Sequence, residues 1–152
     1  MNFIKKLLSK KDAWLYGAIA TILVGVFLRF YRFYDFVTFL GDQGRDAIVI
    51  KRIITFEHWP AIGAPMSVGH VFLGPFYYYF IAPWLALSRL DPAGLAFGVA
   101  VFSVIHLILT YLILAKIFDK SLALFVTILT SFAYVIIGLC CFSWNPNLMS
   151  LV

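Results

Sequence analysis

The sequence predicts an all-α, polytopic membrane protein with three transmembrane helices, or four if one ambiguous apolar run also crosses. Two observations support this fold class. The chain is 63% hydrophobic and only 12% charged, whereas a soluble domain has about 25% charged residues. Its apolar residues are also grouped into runs of roughly 20 residues, the length that a helix needs to cross a bilayer. Aromatic residues make up 18% of the chain, which suits helices bounded by an interfacial belt.

The first crossing is predicted over Ala13–Phe33, directly after a flank that holds Lys5, Lys6, Lys10 and Lys11. Such a flank is typical of a cytoplasmic N-terminus under the positive-inside rule. A signal-peptide n-region is the alternative, but no small-residue cleavage site follows the apolar run. The flank supplies much of the net charge of +5, so this charge gives no reason to expect a nucleic-acid partner.

Two later runs, Leu95–Leu114 and Leu122–Phe142, are predicted to cross, and a short basic turn around Lys116 and Lys120 joins them. The run Val71–Leu90 is ambiguous because it is long enough to cross but contains Gly-Pro and Pro-Trp steps. If the N-terminus and the basic turn are both cytoplasmic, an even number of crossings separates them. We therefore prefer three crossings, with this run on the outer surface as an interfacial or re-entrant helix.

Residues 34–94 then form a long outer loop. Within it, Gln43–Glu57 is predicted to be an amphipathic helix, because its apolar residues share one side at helical spacing. We expect that helix to lie in the headgroup plane with its apolar face on lipid. Asp46 and Glu57 project from the apolar arc, and we expect each to pair with Arg29 or Arg32 or to serve a functional purpose.

Asp42 is the main candidate for chemistry. It lies between glycines at the start of that helix, where Asp is a favoured N-cap. The functional reading is a general base or a ligand of a divalent metal ion, and both can be true because a cap fixes the carboxylate in position. The free N–H groups of a helix start also favour a phosphate. Arg45 can clamp phosphate in a bidentate manner, and Lys51 and Arg52 can add positive charge.

Other polar residues have an ordinary structural reading beside a functional one. Tyr78 belongs to a tyrosine cluster that suits an interfacial belt or stacking on a sugar ring. Asn145 and Asn147 follow the last crossing, where they suit a turn or hydrogen bonds to sugar hydroxyls. We expect His58 and His70 to form hydrogen bonds at the membrane interface, and His106 to form one between helices. The neighbouring Cys140 and Cys141 have no disulfide or metal spacing, so we interpret them as small apolar residues.

This order of segments resembles the N-terminal module of GT-C-fold glycosyltransferases, the group of protein O-mannosyltransferases and lipid A aminoarabinose transferases. The first outer loop of that family carries an acidic Asp-Glu-x-Arg motif, which Asp42-Gln43-Gly44-Arg45 matches here with Gln43 in place of the second acid. The family's later His-Pro-Pro motif corresponds at best to Leu73-Gly74-Pro75-Phe76, without the histidine.

The resemblance implies that residues 1–152 are a single N-terminal transmembrane module of a larger enzyme, inactive alone, in the cell membrane. By this resemblance, Asp42 is the catalytic or metal-binding acid on the extracytoplasmic face. The implied partners are the lipid bilayer and a polyprenyl-phosphate-linked sugar, with Gln43 among the substrate-binding residues. A transporter fragment and a small non-enzymatic membrane protein, which recruits partners or lipids through the basic amphipathic helix, are the alternatives.

Overall fold

A computed structural model of the chain describes residues 13–66 and 71–144. Helices dominate these ranges, beside two isolated β-bridges, so the predicted all-α class is confirmed there. The helices are α1 (Ala13–Phe30), α2 (Phe33–Phe36), α3 (Gly41–Ile54), α4 (Phe76–Leu87), α5 (Ala93–Ile117), α6 (Lys120–Phe132) and α7 (Tyr134–Cys140).

Two of these helices, α1 with 18 residues and α5 with 25, are long and apolar enough to cross a membrane. Helices α6 and α7 pass the same test as a pair, but the chain bends by 59° between them. The described residues therefore hold two candidate spans, or three if the bent pair is one span. This supports the predicted membrane protein, and it replaces the single straight run predicted over Leu122–Phe142 by two helices.

The ambiguous run Val71–Leu90 contains only the 12-residue helix α4. At 1.5 Å per residue, such a helix is about 18 Å long, which is shorter than the roughly 30 Å of hydrocarbon in a bilayer. Helix α4 therefore does not have the length of a straight crossing.

The chain forms two compact units, and α5 contributes to both of them. One unit combines α1 with Val104–Ile137, and α1 packs against α6. Its core includes Ala18, Tyr111 and Ala123. Gly25 of α1 approaches its neighbours so closely that a Cβ atom there would lie 3.0 Å from Ser131 Oγ. Small residues at such positions let apolar helices pack at short range.

A buried arginine of α1 contacts the chain where α6 ends, just before α7 begins. Arg29 is 1% exposed, and its guanidinium donates to the carbonyl oxygens of Gly25, Thr130 and Ser131 at 2.9, 3.2 and 3.3 Å. The last carbonyls of a helix have no partner within that helix, so Arg29 satisfies two groups at the end of α6. Arg29 is thus held inside the protein in the last turn of α1.

The other unit comprises Arg32–Ser103 together with the chain from Gly138 onward. Helices α3 and α4 pack against each other in this unit, with Ile50 and Ile53 of α3 buried, as are Ile81 and Leu85 of α4. The part of the apolar face of α3 that holds Ile50 and Ile53 is therefore covered by protein. The prediction that this face rests on lipid is wrong at these two residues, because protein buries them.

Candidate active site

Helix α3 begins two residues earlier than predicted, at Gly41, and Leu40 is its N-cap. The Leu40 N–H donates to Gln43 Oε1 at 2.6 Å, so a side chain from the first turn satisfies the start of the helix. Asp42 therefore lies inside the first turn, and the alternative that it caps the helix is wrong. Its acidic side chain there is favoured by the positive end of the helix dipole.

Asp42, Arg45 and Asp46 form one connected group on α3. The Arg45 guanidinium donates from Nη1 to Asp42 Oδ1 at 3.3 Å and from Nε and Nη2 to Asp46 Oδ1 at 3.1 and 3.0 Å. The exposed fractions of the side chains are 61% for Asp42, 39% for Arg45 and 1% for Asp46. Arg45 thus joins one solvent-facing carboxylate to one fully buried carboxylate.

Tyr78 connects this group to α4. Its hydroxyl donates to Asp46 Oδ1 at 3.2 Å, so three donors converge on one oxygen of the carboxylate. In the described residues, the second oxygen, Oδ2, and the Gln43 Nε2 atom are buried with no hydrogen-bond partner. Buried polar groups without hydrogen-bond partners are rare, and they cost free energy. These two unpaired atoms are therefore an unusual feature of the buried part of the site.

The electrostatics follow from burial. Removal from water raises the pKa of Asp46 above its ordinary value, and the attraction of Arg45 offsets this only in part. Burial, together with the nearby Asp46 carboxylate, raises the pKa of Tyr78 to about 12. Tyr78 therefore remains a hydrogen-bond donor at neutral pH.

A second tyrosine extends the network. Tyr77 and Tyr78 have their ring centroids 5.7 Å apart in an edge-on arrangement. The hydroxyl groups of Tyr77 and Ser143 share a buried hydrogen bond of 2.6 Å, and burial raises the pKa of Tyr77 as well. The chain that follows α7 is thus fixed against α4, beside the residues that hold Asp46.

The structure brings together part of the predicted set. Asp42, Arg45 and Tyr78 belong to one cluster with Asp46, whereas Gln43 accepts a hydrogen bond from the Leu40 N–H in the first turn of α3. In contrast, Lys51 and Arg52 lie in the last turn of α3, about 14 Å along the helix axis from Asp42 at 1.5 Å per residue. Asn145, Asn147 and His70 lie outside the described residues.

Asp46 itself was predicted to need a partner, because an acid on an apolar arc must be neutralised or used. The predicted partners, Arg29 and Arg32, are wrong: Arg32 pairs with Asp35 at 2.6 Å, and the adjacent Arg45 pairs with Asp46. The Glu57 carboxylate accepts a hydrogen bond from the Thr55 hydroxyl at 2.8 Å. No sequence signal pointed to Ser143, which is far from Tyr77 along the chain.

A divalent metal ion at Asp42 stays a prediction. The described ranges contain no group of three His, Cys, Asp or Glu side chains that could hold a metal ion. Asp42 could contribute one oxygen ligand, but Arg45 already donates to its Oδ1. A metal ion there would have to share that carboxylate with a guanidinium, which repels it.

No family model, no curated protein and no solved structure matches this chain.

Proposed function

We propose that this chain is the N-terminal part of an integral-membrane glycosyltransferase. The enzyme transfers a sugar from a polyprenyl-phosphate carrier to a lipid, glycan or protein acceptor on the extracytoplasmic face. One observation carries the proposal: Asp42 presents an exposed carboxylate in the first turn of α3, with Arg45 Nη1 3.3 Å away. A carboxylate able to act as a base and a cation beside it are the two groups that this transfer needs.

The mechanism assigns one role to each group. Asp42 takes the proton of the acceptor hydroxyl, whose oxygen forms a bond to the anomeric carbon of the sugar. The bond between that carbon and the phosphate oxygen breaks, and the polyprenyl phosphate leaves with the electron pair. Arg45 and the N–H groups in the first turn of α3 stabilise the charge of the departing phosphate.

The space around α3 supports access by a ligand. Within residues 13–66 and 71–144, a Cβ atom built on Gly41 would meet no other atom within 4 Å, and one on Gly44 would meet only the Phe39 ring, at 3.9 Å. A phosphate or sugar can therefore approach the backbone at the first turn closely. Asp46, in contrast, is buried, with 1% of its side chain exposed.

Contacts inside one unit support a topology of three crossings. The Thr38 N–H donates to the Cys141 carbonyl at 3.3 Å, and Thr38 forms a bridge with Phe142. If both segments lie outside the hydrocarbon, they are on the same side of the bilayer, and an even number of crossings separates them. If the bent α6–α7 pair is one span, it and α5 make two, so α4 does not cross. With the predicted cytoplasmic N-terminus, α1 would bring Asp42 to the extracytoplasmic side.

The test is the substitution Asp42→Asn in the complete protein. The donors are polyprenyl phosphates that carry a radiolabelled hexose or pentose, and the acceptors are those present in membranes of the source cells. We expect Asp42→Asn to abolish transfer while expression and membrane insertion stay intact, because asparagine cannot take the proton.

The chain offers a matched control. Asp35 is also an exposed acid, with 54% of its side chain accessible, and it also pairs with an arginine three residues away. Asp35→Asn should transfer at the wild-type rate. Wild-type turnover in Asp42→Asn would refute the role of Asp42, and no transfer from any of these donors would count against the enzyme class.

A transporter fragment is the second candidate, and the 59° bend between α6 and α7 is the observation that favours it. Broken membrane helices often place free carbonyl groups at a site for a transported cation. Here Arg29 donates to the carbonyls of Thr130 and Ser131, so a fixed guanidinium stands where a mobile cation would bind. Uptake of ions or sugars by liposomes that contain the complete protein would favour the transporter.

A further inference from the structure

Two chain segments between α3 and α4 expose apolar side chains although they belong to a folded unit. The segments are Trp59–Met66 and Val71–Phe76, and we call their exposed apolar residues the apolar hairpin surface. These residues are Trp59, Ile62, Met66, Val71, Phe72 and Phe76, with exposed fractions between 47% and 63%.

The two segments are held in a defined shape. Leu73 N donates to the Ala64 carbonyl and Met66 N to the Val71 carbonyl, both at 2.9 Å. Gly63 lies so close to the second segment that a Cβ atom there would come within 2.7 Å of the Leu73 carbonyl oxygen. The apolar hairpin surface is therefore a built feature of the unit.

The apolar hairpin surface lies in a part of the loop that has no charged residues. Between Glu57 and Arg89 the sequence contains no Asp, Glu, Lys or Arg. Burying a large apolar side chain rather than leaving it in water gains about 1.5–3 kcal/mol. An apolar occupant would therefore stabilise these exposed side chains.

The aromatic residues identify the occupant. Trp59 stacks on Tyr79 with ring centroids 6.0 Å apart, and Phe56 lies 5.9 Å from Trp59. The Tyr79 hydroxyl donates to the Pro60 carbonyl at 2.9 Å, so this stack is fixed to the first segment. Tryptophan and tyrosine concentrate where a bilayer meets water, because one end of each ring system is apolar and the other polar.

The same unit also contains the beginning of a candidate span, since α5 enters it at Ala93. Irregular backbone cannot lie deep in hydrocarbon, where its polar groups lack partners. We propose that the apolar hairpin surface docks into the headgroup–acyl boundary of the bilayer that α5 crosses, with Trp59 as its anchor.

The test measures the depth of Trp59 in the complete protein in lipid nanodiscs. Trp14, Trp84 and Trp144 are replaced by phenylalanine, so that Trp59 is the remaining tryptophan of residues 1–152, and any tryptophan beyond them is replaced too. Quenchers are lipids brominated near the headgroup end of the acyl chain, lipids brominated near its methyl end, and iodide in the water. We expect the first to quench most strongly and iodide to quench weakly.

Two outcomes would overturn the proposal. Strong quenching by iodide and none by the lipids would place Trp59 in water, and quenching by neither would mean that other protein covers it. Because the three phenylalanines could disturb folding, a second measurement keeps all native tryptophans and compares the wild type with Trp59→Phe. The difference in lipid quenching between these two proteins reports Trp59 alone.

A pair of aspartate substitutions provides the matched control. Ile62 and Ile48 are equally exposed, at 59% and 57%, but only Ile62 belongs to the apolar hairpin surface. A charge is costly in the apolar boundary, so Ile62→Asp should reduce quenching of Trp59 by the brominated lipids. Ile48→Asp should leave that quenching unchanged, and equal effects of the two changes would contradict the proposal.

Discussion

Tyr78 donates its hydroxyl to the buried carboxylate of Asp46 at 3.2 Å, and this bond joins α4 to the charged start of α3. The same carboxylate oxygen also receives Nε and Nη2 of Arg45. Asp46 is therefore the central residue of the cluster. Tyr78 of α4 donates to its carboxylate, and the same carboxylate binds the Arg45 guanidinium, which also contacts Asp42.

This arrangement predicts that Asp46 controls the mobility of Arg45. Asp46→Asn keeps the size of the side chain and an oxygen for Tyr78, but it removes the charge that holds the guanidinium. We expect Arg45 to react faster with phenylglyoxal in this variant, measured by mass spectrometry of the peptide that contains it. Asp35→Asn, which disturbs only Arg32, should leave the rate at Arg45 unchanged. An unchanged rate in Asp46→Asn would show that the ion pair does not restrain Arg45.

The raised pKa of Asp46 predicts a pH dependence of stability. Burial makes the folded protein hold this proton more tightly than the unfolded chain, whose carboxyl has a pKa near 3.8. Between 3.8 and the higher folded pKa, the folded state binds more protons, so the free energy of unfolding falls as pH rises through that window. Titrating denaturant unfolding against pH should show this fall in the wild type and a smaller one in Asp46→Asn. Equal slopes in both proteins would assign the pH dependence to other groups.

Arg29 predicts a large cost for removing a charge inside an apolar unit. Arg29→Met deletes the hydrogen bonds to Thr130 and Ser131, and charge-assisted bonds contribute about 1.5–3 kcal/mol each. The free energy of unfolding should fall by about 3 kcal/mol. As a control, Arg32→Met breaks only an exposed ion pair, which is worth about 0–1 kcal/mol. Similar losses in the two variants would mean that the carbonyl bonds of Arg29 do not stabilise the break.

Gly63 predicts a steric limit between the two segments of the loop. A methyl group at this position would collide with the backbone of Leu73 and Gly74, and overpacking of this kind costs about 1–3 kcal/mol. Gly63→Ala should therefore lower the free energy of unfolding by that amount. Gly74→Ala is the control, since a Cβ atom there meets none of the described residues within 4 Å. If both variants are as stable as the wild type, the loop can open without cost.

The sequence predicted the elements whose cause is local. The apolar runs became α1 and α5, and the period of apolar residues after Gly41 became α3. Whether a run of residues can form a membrane-spanning helix depends on its composition and its length, and both can be taken directly from the sequence. The acid at position 46 was also recognised as an exception on an apolar arc, although its partner was not.

The break at Ala133 shows what local reasoning misses. Residues 131–134 are Ser-Phe-Ala-Tyr, with neither proline nor glycine to end a helix, so a continuous crossing was predicted. The carbonyl groups freed there are satisfied by Arg29, about a hundred residues earlier in the chain. A helix can end without a breaker when another segment supplies its hydrogen bonds, and sequence spacing does not reveal that segment.

The amino-acid sequence by itself determined that this is an all-helical protein of the membrane, with a carboxylate and an arginine at the start of an amphipathic helix. Only the tertiary structure decided which carboxylate is exposed and which is buried, since Asp42 and Asp46 differ in whether α4 covers them. It also decided that the chain after α7 meets α4, through Tyr77 and Ser143. Helix periodicity fixes the direction of a side chain, whereas its surroundings depend on contacts that span the whole chain.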